Sequence, residues 1–245
     1  MTDVQTAVLE AARVLAPDVR EITLRPDAPA PLTYQPGQWI SLRLPVGEKP
    51  PLIRAYSMAT PASQDGRLTL CFDRIEGGIG SEYLWTAEPG LAMEFSGPVG
   101  NFTLPETDSD LVFVAQHTGI VPFRAMLHLL ATDPAFGRSG RRVHLVYGTK
   151  RQEDLVYHEE LAAMSRRVSW LDYHPVVLEG APLDTAATGS ESDVLAAHAA
   201  TWIPFVPMVC GVREFTLPTR SFFMEQLGFE RRAVKVENYN GPAAR

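Results

Sequence analysis

The sequence predicts two domains in series: an N-terminal antiparallel β-barrel, then a C-terminal α/β domain with a doubly wound parallel sheet. Three observations predict it. The 245 residues leave room for one large or two small domains. The first hundred are short apolar runs cut by Pro- and Gly-containing turns. From Leu111 the rhythm becomes strand, turn and helix, repeated with short connections.

In the first part, VREITLRP, QWISLRLP, RLTLCFDR and LAMEFSGP read as strands, with TYQPG, QDG and AEPG as the turns between them. Strands at this density, with almost no helical period, make a small barrel or sandwich. Gly80 to Glu88, GSEYLWTAE, follows a glycine cluster and suits a short helix. In the second part, DLVFVA is a continuous apolar strand that leads through QHTG into the helix VPFRAMLHLLATD. RRVHLVYG and EDLVYHEELAAMSRR repeat the unit. YHPVVLEG, SDVLAAHAATW, PMVCG, PTRSFFMEQLGF and RAVKVENYN complete the alternation, and Glu179 to Ser192 reads as a mobile polar loop. The boundary falls between Leu104 and Asp110, giving domains 1–105 and 106–245. In such a sheet ligands lie beyond the carboxyl ends of the strands.

Composition narrows the function. Lys and Arg number 22 against 29 Asp and Glu, a net charge of −7, and both halves are acidic. Nucleic-acid binding needs a concentrated basic surface, so that class is set aside. The two cysteines, Cys71 and Cys210, cannot make a disulfide framework or a four-thiolate metal or iron–sulfur site. The six histidines show no metal spacing, so no metal is expected. The N-terminal stretch lacks the marks of a signal peptide, and no run approaches the roughly 18 apolar residues of a membrane span. A soluble, reducing, cytoplasmic setting is the expectation.

Several short motifs carry chemistry. RAYSMA combines Arg54, Tyr56 and Ser57 at alternate or adjacent strand positions. These are forked donors for phosphate, a stacking face and a hydroxyl for a ring edge. GGIGSEYL places Gly78, Gly80 and Ser81 at a helix start, where backbone amides approach an anion closely. A turn with Ser81 as a simple N-cap explains the same residues. QHTGIVPF puts Thr118 and Gly119 after the first strand of the α/β part, without a full dinucleotide fingerprint. Cys210 and Gly211 end a late strand, where a buried structural thiol is the plainer reading. Glu237 and Tyr239 share one face of the last strand.

In their order and spacing these motifs resemble the ferredoxin–NADP reductase superfamily across almost the whole chain. The residues that carry the resemblance are YQPGQ (Tyr34 to Gln38), RAYS, GGIGSEYL, GPVGNFTL (Gly97 to Leu104), HTGIVPF, LVYGTKRQEDLVYHEEL (Leu145 to Leu161), Cys210-Gly211 and the terminal ENY. The resemblance implies FAD, with FMN as the narrower alternative, and NADPH or NADH on the C-terminal domain. It implies that Arg54, Gly78, Gly80 and Ser81 meet the FAD pyrophosphate. Tyr56 would pack on the ring, Ser57 would lie near its reactive nitrogen, and Glu237 and Tyr239 would close the flavin site. Thr118, Gly119 and Gly211 would hold the nicotinamide nucleotide, with Cys210 beside the carbon that gives up hydride. Ser57, Cys210 and Glu237 are thus the expected catalytic residues.

Two departures fall on the nucleotide side. Gln116 and His117 stand where relatives have a glycine pair, and a His is costly there if the turn needs positive φ. Val212 stands where Pro usually follows Cys-Gly. Thr149, Lys150 and Arg151 follow the second strand, where relatives read the ribose 2′ position; the two cations favour NADPH. The implied activity is a flavin-dependent NAD(P)H oxidoreductase passing electrons through FAD to a separate acceptor. That acceptor is a ferredoxin- or flavodoxin-like carrier, an oxygenase partner or a small molecule. The alternative is a flavin-binding electron-transfer subunit or sensor with impaired nicotinamide binding.

Overall fold

A computed structural model describes residues 3–28, 30–47, 50–180 and 187–239. The chain divides into two compact units, Met1–Leu104 with Val121–Leu129, and Pro105–Ile120 with Leu130–Arg245.

The first unit holds β1 (Gln5–Ala16), β2 (Val19–Pro26), β3 (Trp39–Leu44), β4 (Leu52–Ser57), β5 (Leu68–Asp73), α1 (Ile79–Thr86) and β6 (Ala92–Val99). The six strands form one antiparallel sheet in the order β4-β3-β6-β1-β2-β5. Its edges meet at a single bridge, Met58 to Leu70, backed by the Ala59 amide donating to the Thr69 carbonyl at 2.7 Å. The sheet therefore curls into a barrel without a full ladder between its edge strands. Every second residue turns inward, as in Ile40, Leu42 and Leu44 of β3, which join Leu9, Ile22, Leu24, Leu70 and Phe95 in the core. Each such side chain stabilises the fold by about 1.5–3 kcal/mol through removal from water. Buried Arg20 docks α1 by donating to the carbonyls of Leu84 (2.9 Å), Trp85 and Ala87 (2.9 Å) at the helix C-terminus.

The barrel has six strands where composition showed four. The longest, β1, is not legible as a strand because QTAVLEAARVLA is rich in Ala and Leu, which favour helix. Pairing with β2 on one side and β6 on the other overrides that local preference.

The second unit contains β7 (Asp110–Gln116) and then α2 (Ile120–Thr132), whose middle, Val121–Leu129, groups with the first unit. After α3 (Pro134–Arg138) come β8 (Val143–Thr149), α4 (His158–Arg167), β9 (Leu171–Val177) and β10 (Ala187–Thr188). The unit ends with α5 (Glu191–His198), β11 (Phe205–Val212), α6 (Arg213–Leu227) and β12 (Lys235–Tyr239). All strands are parallel, in the order β10-β9-β8-β7-β11-β12. Successive strands run outward from β7 on one side and from β11 on the other. The order reverses between these two, the switch point beyond whose carboxyl ends ligands bind in open α/β sheets. All of β8 and the middle of β7 are buried.

Two boundaries differ from expectation. Helix α6 begins at Arg213, and Pro218 lies inside it instead of opening it. Val212 provides no capping side chain, so nothing in the local sequence marks the start. The expected loop from Glu179 to Ser192 lies partly outside the described residues; its end contains β10 and the first turn of α5. Ser190 and Asp193 form a reciprocal cap there, which sets Glu191 at the first helical position. Among the described residues, no helix is long and apolar enough to cross a membrane.

Candidate functional site

In the first unit the site elements are edge strand β4 and the start of α1. Strand alternation sets Arg54 and Tyr56 on one face and the buried Ser57 on the other. Arg54 is exposed and its Nη1 donates to the Ile53 carbonyl at 2.9 Å. Its stem passes Gly80: a Cβ there would lie 3.7 Å from Arg54 Cγ and 2.8 Å from Leu52 Cδ2. The first turn of α1 therefore lies against β4, beside the arginine. Amides in that turn have no carbonyl partner within the helix, and the helix end carries partial positive charge. A guanidinium beside such amides suits a phosphate.

Tyr56 is half-buried and packs tilted against Phe72, with centroids 5.8 Å apart. Burial pushes its phenol up to about 12, so it stays neutral. Gly78 and Ser81 are engaged locally. The Gly78 amide donates to the Ile75 carbonyl at 2.8 Å. The Ser81 hydroxyl accepts from the Ile75 amide at 3.0 Å and faces the carbonyls of Ile75 and Gly78 at 3.1 and 3.0 Å. Ser81 is the third residue of α1, after Gly78 at the N-cap position, so it does not cap the helix as the simple reading expects; its hydroxyl instead closes the preceding turn.

In the second unit, Thr118 and Gly119 lie in a 3-10 turn, His117–Gly119, between β7 and α2. A Cβ on Gly119 would sit 2.2 Å from the Cys210 carbonyl oxygen, so the turn can meet the end of β11 only because position 119 has no side chain. Cys210 is fully buried and lies in register between Ala115 of β7 and Glu237 of β12. Its sulfur is 3.9 Å from Glu237 Oε1, and the Tyr239 side chain also hydrogen-bonds it. Burial first, then the Glu237 charge, pushes the thiol up, so Cys210 remains a neutral thiol and not a nucleophile. The fold thus gathers Thr118, Gly119, Cys210, Gly211, Glu237 and Tyr239 at the carboxyl ends of β7, β11 and β12.

Thr149, Lys150 and Arg151 follow at the end of β8. Thr149 is buried and donates to the Arg151 carbonyl at 2.7 Å. The two cations are exposed and paired, Lys150 with Glu179 at 3.5 Å and Arg151 with Glu153 at 3.6 Å. Exposed pairs of this kind contribute about 0–1 kcal/mol, so they hold the two cations only weakly.

Of the two departures from glycine, His117 takes a left-handed conformation, with φ of 52°, while Gln116 is extended at φ −121°. Glu191 escaped the sequence reading altogether. It is buried against Gly148, its side chain hydrogen-bonds Gln116, and burial raises its pKa. The Ser-x-x-Asp cap was the available signal, because it moves Glu191 out of the supposed loop and into a helix.

Residues 6–104 match the family model of an oxidoreductase FAD-binding domain, and residues 113–220 that of an oxidoreductase NAD-binding domain. The chain is 35% identical over 247 residues to ferredoxin–NADP reductase B of Sorangium cellulosum, covering 96% of this chain and 97% of that one. It is 29% identical over 172 residues to the toluate 1,2-dioxygenase electron transfer component of Pseudomonas putida, covering 70% of this chain and 49% of that longer protein. The fold matches the flavohaem-like FAD/NAD-binding domain of nitric oxide dioxygenase from Vibrio cholerae. That match has a TM-score of 0.82 at 23% identity and covers 96% and 98% of the two chains. A flavin-binding barrel followed by a nicotinamide-nucleotide-binding α/β domain defines a class of two-domain flavin oxidoreductases. Within that class, the chain belongs to the ferredoxin–NADP reductase family.

Proposed function

We propose that this oxidoreductase takes electrons from NADPH through FAD and delivers them to a separate protein acceptor, a ferredoxin- or flavodoxin-like carrier or an oxygenase. The observation that carries this reading is the meeting of the Gly119 turn with Cys210 at the switch point, with Glu237 and Tyr239 alongside. In the barrel, Arg54 and the amides of the first turn of α1 fit the pyrophosphate of FAD, and the Tyr56 ring fits one face of its planar part. When bound, FAD accepts hydride from the nicotinamide and passes electrons on.

The chain's own residues bind and orient. Arg54 supplies charge and forked donors, Tyr56 a neutral stacking surface, and Ser57 a hydroxyl at the end of β4. Thr118, Gly119 and Gly211 let the dinucleotide approach the strand ends closely. Cys210, as a neutral thiol, presents a small polarizable surface to the nicotinamide, and Glu237 and Tyr239 hold it in place. Such positioning of reacting groups contributes most of what the protein adds to catalysis.

Lys150 and Arg151 favour a 2′-phosphate and hence NADPH, consistent with the Sorangium relative's name. Replacing both by Ala should weaken NADPH about tenfold, the loss of one charge-assisted contact, and leave NADH unchanged. A separate acceptor follows from the cysteine count, since Cys71 and Cys210 cannot hold a four-thiolate cluster. Both are buried thiols outside any disulfide, which fits a reducing, cytoplasmic compartment.

An anaerobic absorbance spectrum before and after stoichiometric NADPH, then NADH, tests the reading. Prompt bleaching of the flavin with NADPH is expected. A spectrum unchanged by both nucleotides would refute it and favour a flavin subunit reduced by another protein.

A further inference from the structure

His117 holds φ at 52°, a left-handed conformation that only a few per cent of non-glycine residues adopt, histidine more often than most, and it does so in the turn that meets Cys210. Left alone, such a residue gains by relaxing to negative φ, which would carry Thr118 and Gly119 with it. The preceding residue, Gln116, lies in the extended region, so the strain is confined to His117. Strained residues persist where their surroundings over-determine them. The surroundings here are specific. Gln116 is in register with Gly148 of β8, and the space over Gly148 is filled by Glu191 of α5. A Cβ on Gly148 would lie 2.2 Å from both Cδ and Oε1 of that carboxyl. Glu191 is only 4% exposed and hydrogen-bonds the Gln116 side chain. The Ser190–Asp193 cap fixes the start of α5, and with it the place from which Glu191 reaches. Three elements, β7, β8 and α5, thus converge on one polar pair beside the strained turn.

We propose that Glu191 is a positioning residue for nucleotide binding: acting through Gln116, it locks the end of β7 and holds His117 in the conformation a glycine would adopt unaided, an inference that rests on the His117–Gly119 turn being the dinucleotide site. The amide of Gln116 donates and the carboxyl accepts, so the lock is one hydrogen bond in a site closed to water, with the carboxyl's Oε1 left without a partner among the described residues.

The test uses the full FAD-loaded chain with Glu191→Leu, Glu191→Gln, His117→Gly and the double variant His117→Gly/Glu191→Leu. Two readouts are taken: amide hydrogen exchange of residues 117–120 without nucleotide, and the calorimetric Kd for NADP+ and NAD+. Glu191→Leu should speed exchange in the turn and weaken dinucleotide binding about tenfold each, the worth of one such bond, with flavin content unchanged. Glu191→Gln keeps an acceptor for Gln116 and should stay within about twofold of the parent. In the His117→Gly background, where no strain needs holding, Glu191→Leu should change little; that coupling is the signature of the lock. Equal effects of Glu191→Leu in both backgrounds, or unchanged exchange, would overturn the proposal and leave Glu191 a general packing residue. If Glu191→Leu does not fold, Gln116→Ala paired with His117→Gly reads the same bond from its other end. A parent chain that binds neither dinucleotide refutes the nucleotide reading, while the exchange data still decide the lock.

Discussion

Gly119→Ala isolates the contact that brings the turn after β7 against the end of β11. The added Cβ would stand 2.2 Å from the Cys210 oxygen, 2.7 Å from its carbonyl carbon and 3.0 Å from the Gly211 nitrogen. Non-bonded heavy atoms settle at about 3.5–4.0 Å, so the methyl intrudes by roughly 1 Å or more. All three neighbours are backbone atoms of β11, which is paired on both sides by β7 and β12 and cannot rotate away. Gly119 itself has φ −58° and ψ −11°, which alanine adopts freely, so the whole penalty is steric. Overpacking costs about 1–3 kcal/mol, at the upper end when backbone must move. Alanine's better helix propensity offsets at most about 1 kcal/mol of that. The net, about 2 kcal/mol, should lower the melting temperature of the second unit by roughly 6–10 °C. Scanning calorimetry reads that shift, and calorimetric titration should show weakened dinucleotide binding, with the flavin-to-protein ratio unchanged. Gly137→Ala is the control, since a Cβ there meets nothing within 4 Å. Parental melting and parental Kd in Gly119→Ala would refute the close-approach argument.

Three further outcomes are expected. Arg54→Ala should weaken FAD binding about tenfold or more, the loss of a charged donor, read as a lower flavin-to-protein ratio after purification. Full occupancy would remove Arg54 from the pyrophosphate site. Cys210→Ala should slow flavin reduction by NADPH about tenfold to a hundredfold through misplacement, with the flavin spectrum intact; an unaltered stopped-flow rate would exclude it. Glu191 carries a pH signature: its folded pKa is raised by burial, so its contribution to stability is complete below the unfolded value of 4.5 and is lost as pH rises through the folded value. Glu191→Gln should therefore gain stability relative to the parent over that interval, and parallel urea-unfolding curves across pH would contradict it.

What the sequence shows and hides follows from how local each feature is. The β8 run and the Gly119 turn are legible because the apolar run and the turn glycine are contiguous. Arg54 and Tyr56 could be read as a pair because strand alternation alone puts them on one face. Strand β1 was hidden because its residues favour helix and only its two neighbours decide otherwise. Ser81 shows a different limit. Its position at the helix start was legible, but the direction of its hydroxyl, toward Ile75 and Gly78, depends on how the preceding turn closes.

The departure at Gln116-His117 shows where single-sequence reading stops. A glycine pair meets a positive φ with its own conformational freedom, so the requirement and its solution sit at the same positions. Here the requirement remains at His117, while the residue placed to meet it, Glu191, belongs to the helix after β10 and is opposed by Gly148 on the strand between. Read locally, His117 is a defect and suggests a weakened nucleotide site. Read with Gly148 and Glu191, the same residue is one part of a three-element arrangement that replaces flexibility with a held geometry. The His117→Gly/Glu191→Leu pair separates the two views. Impaired binding that glycine alone improves supports the local view, whereas a penalty for Glu191→Leu that disappears with glycine supports the second.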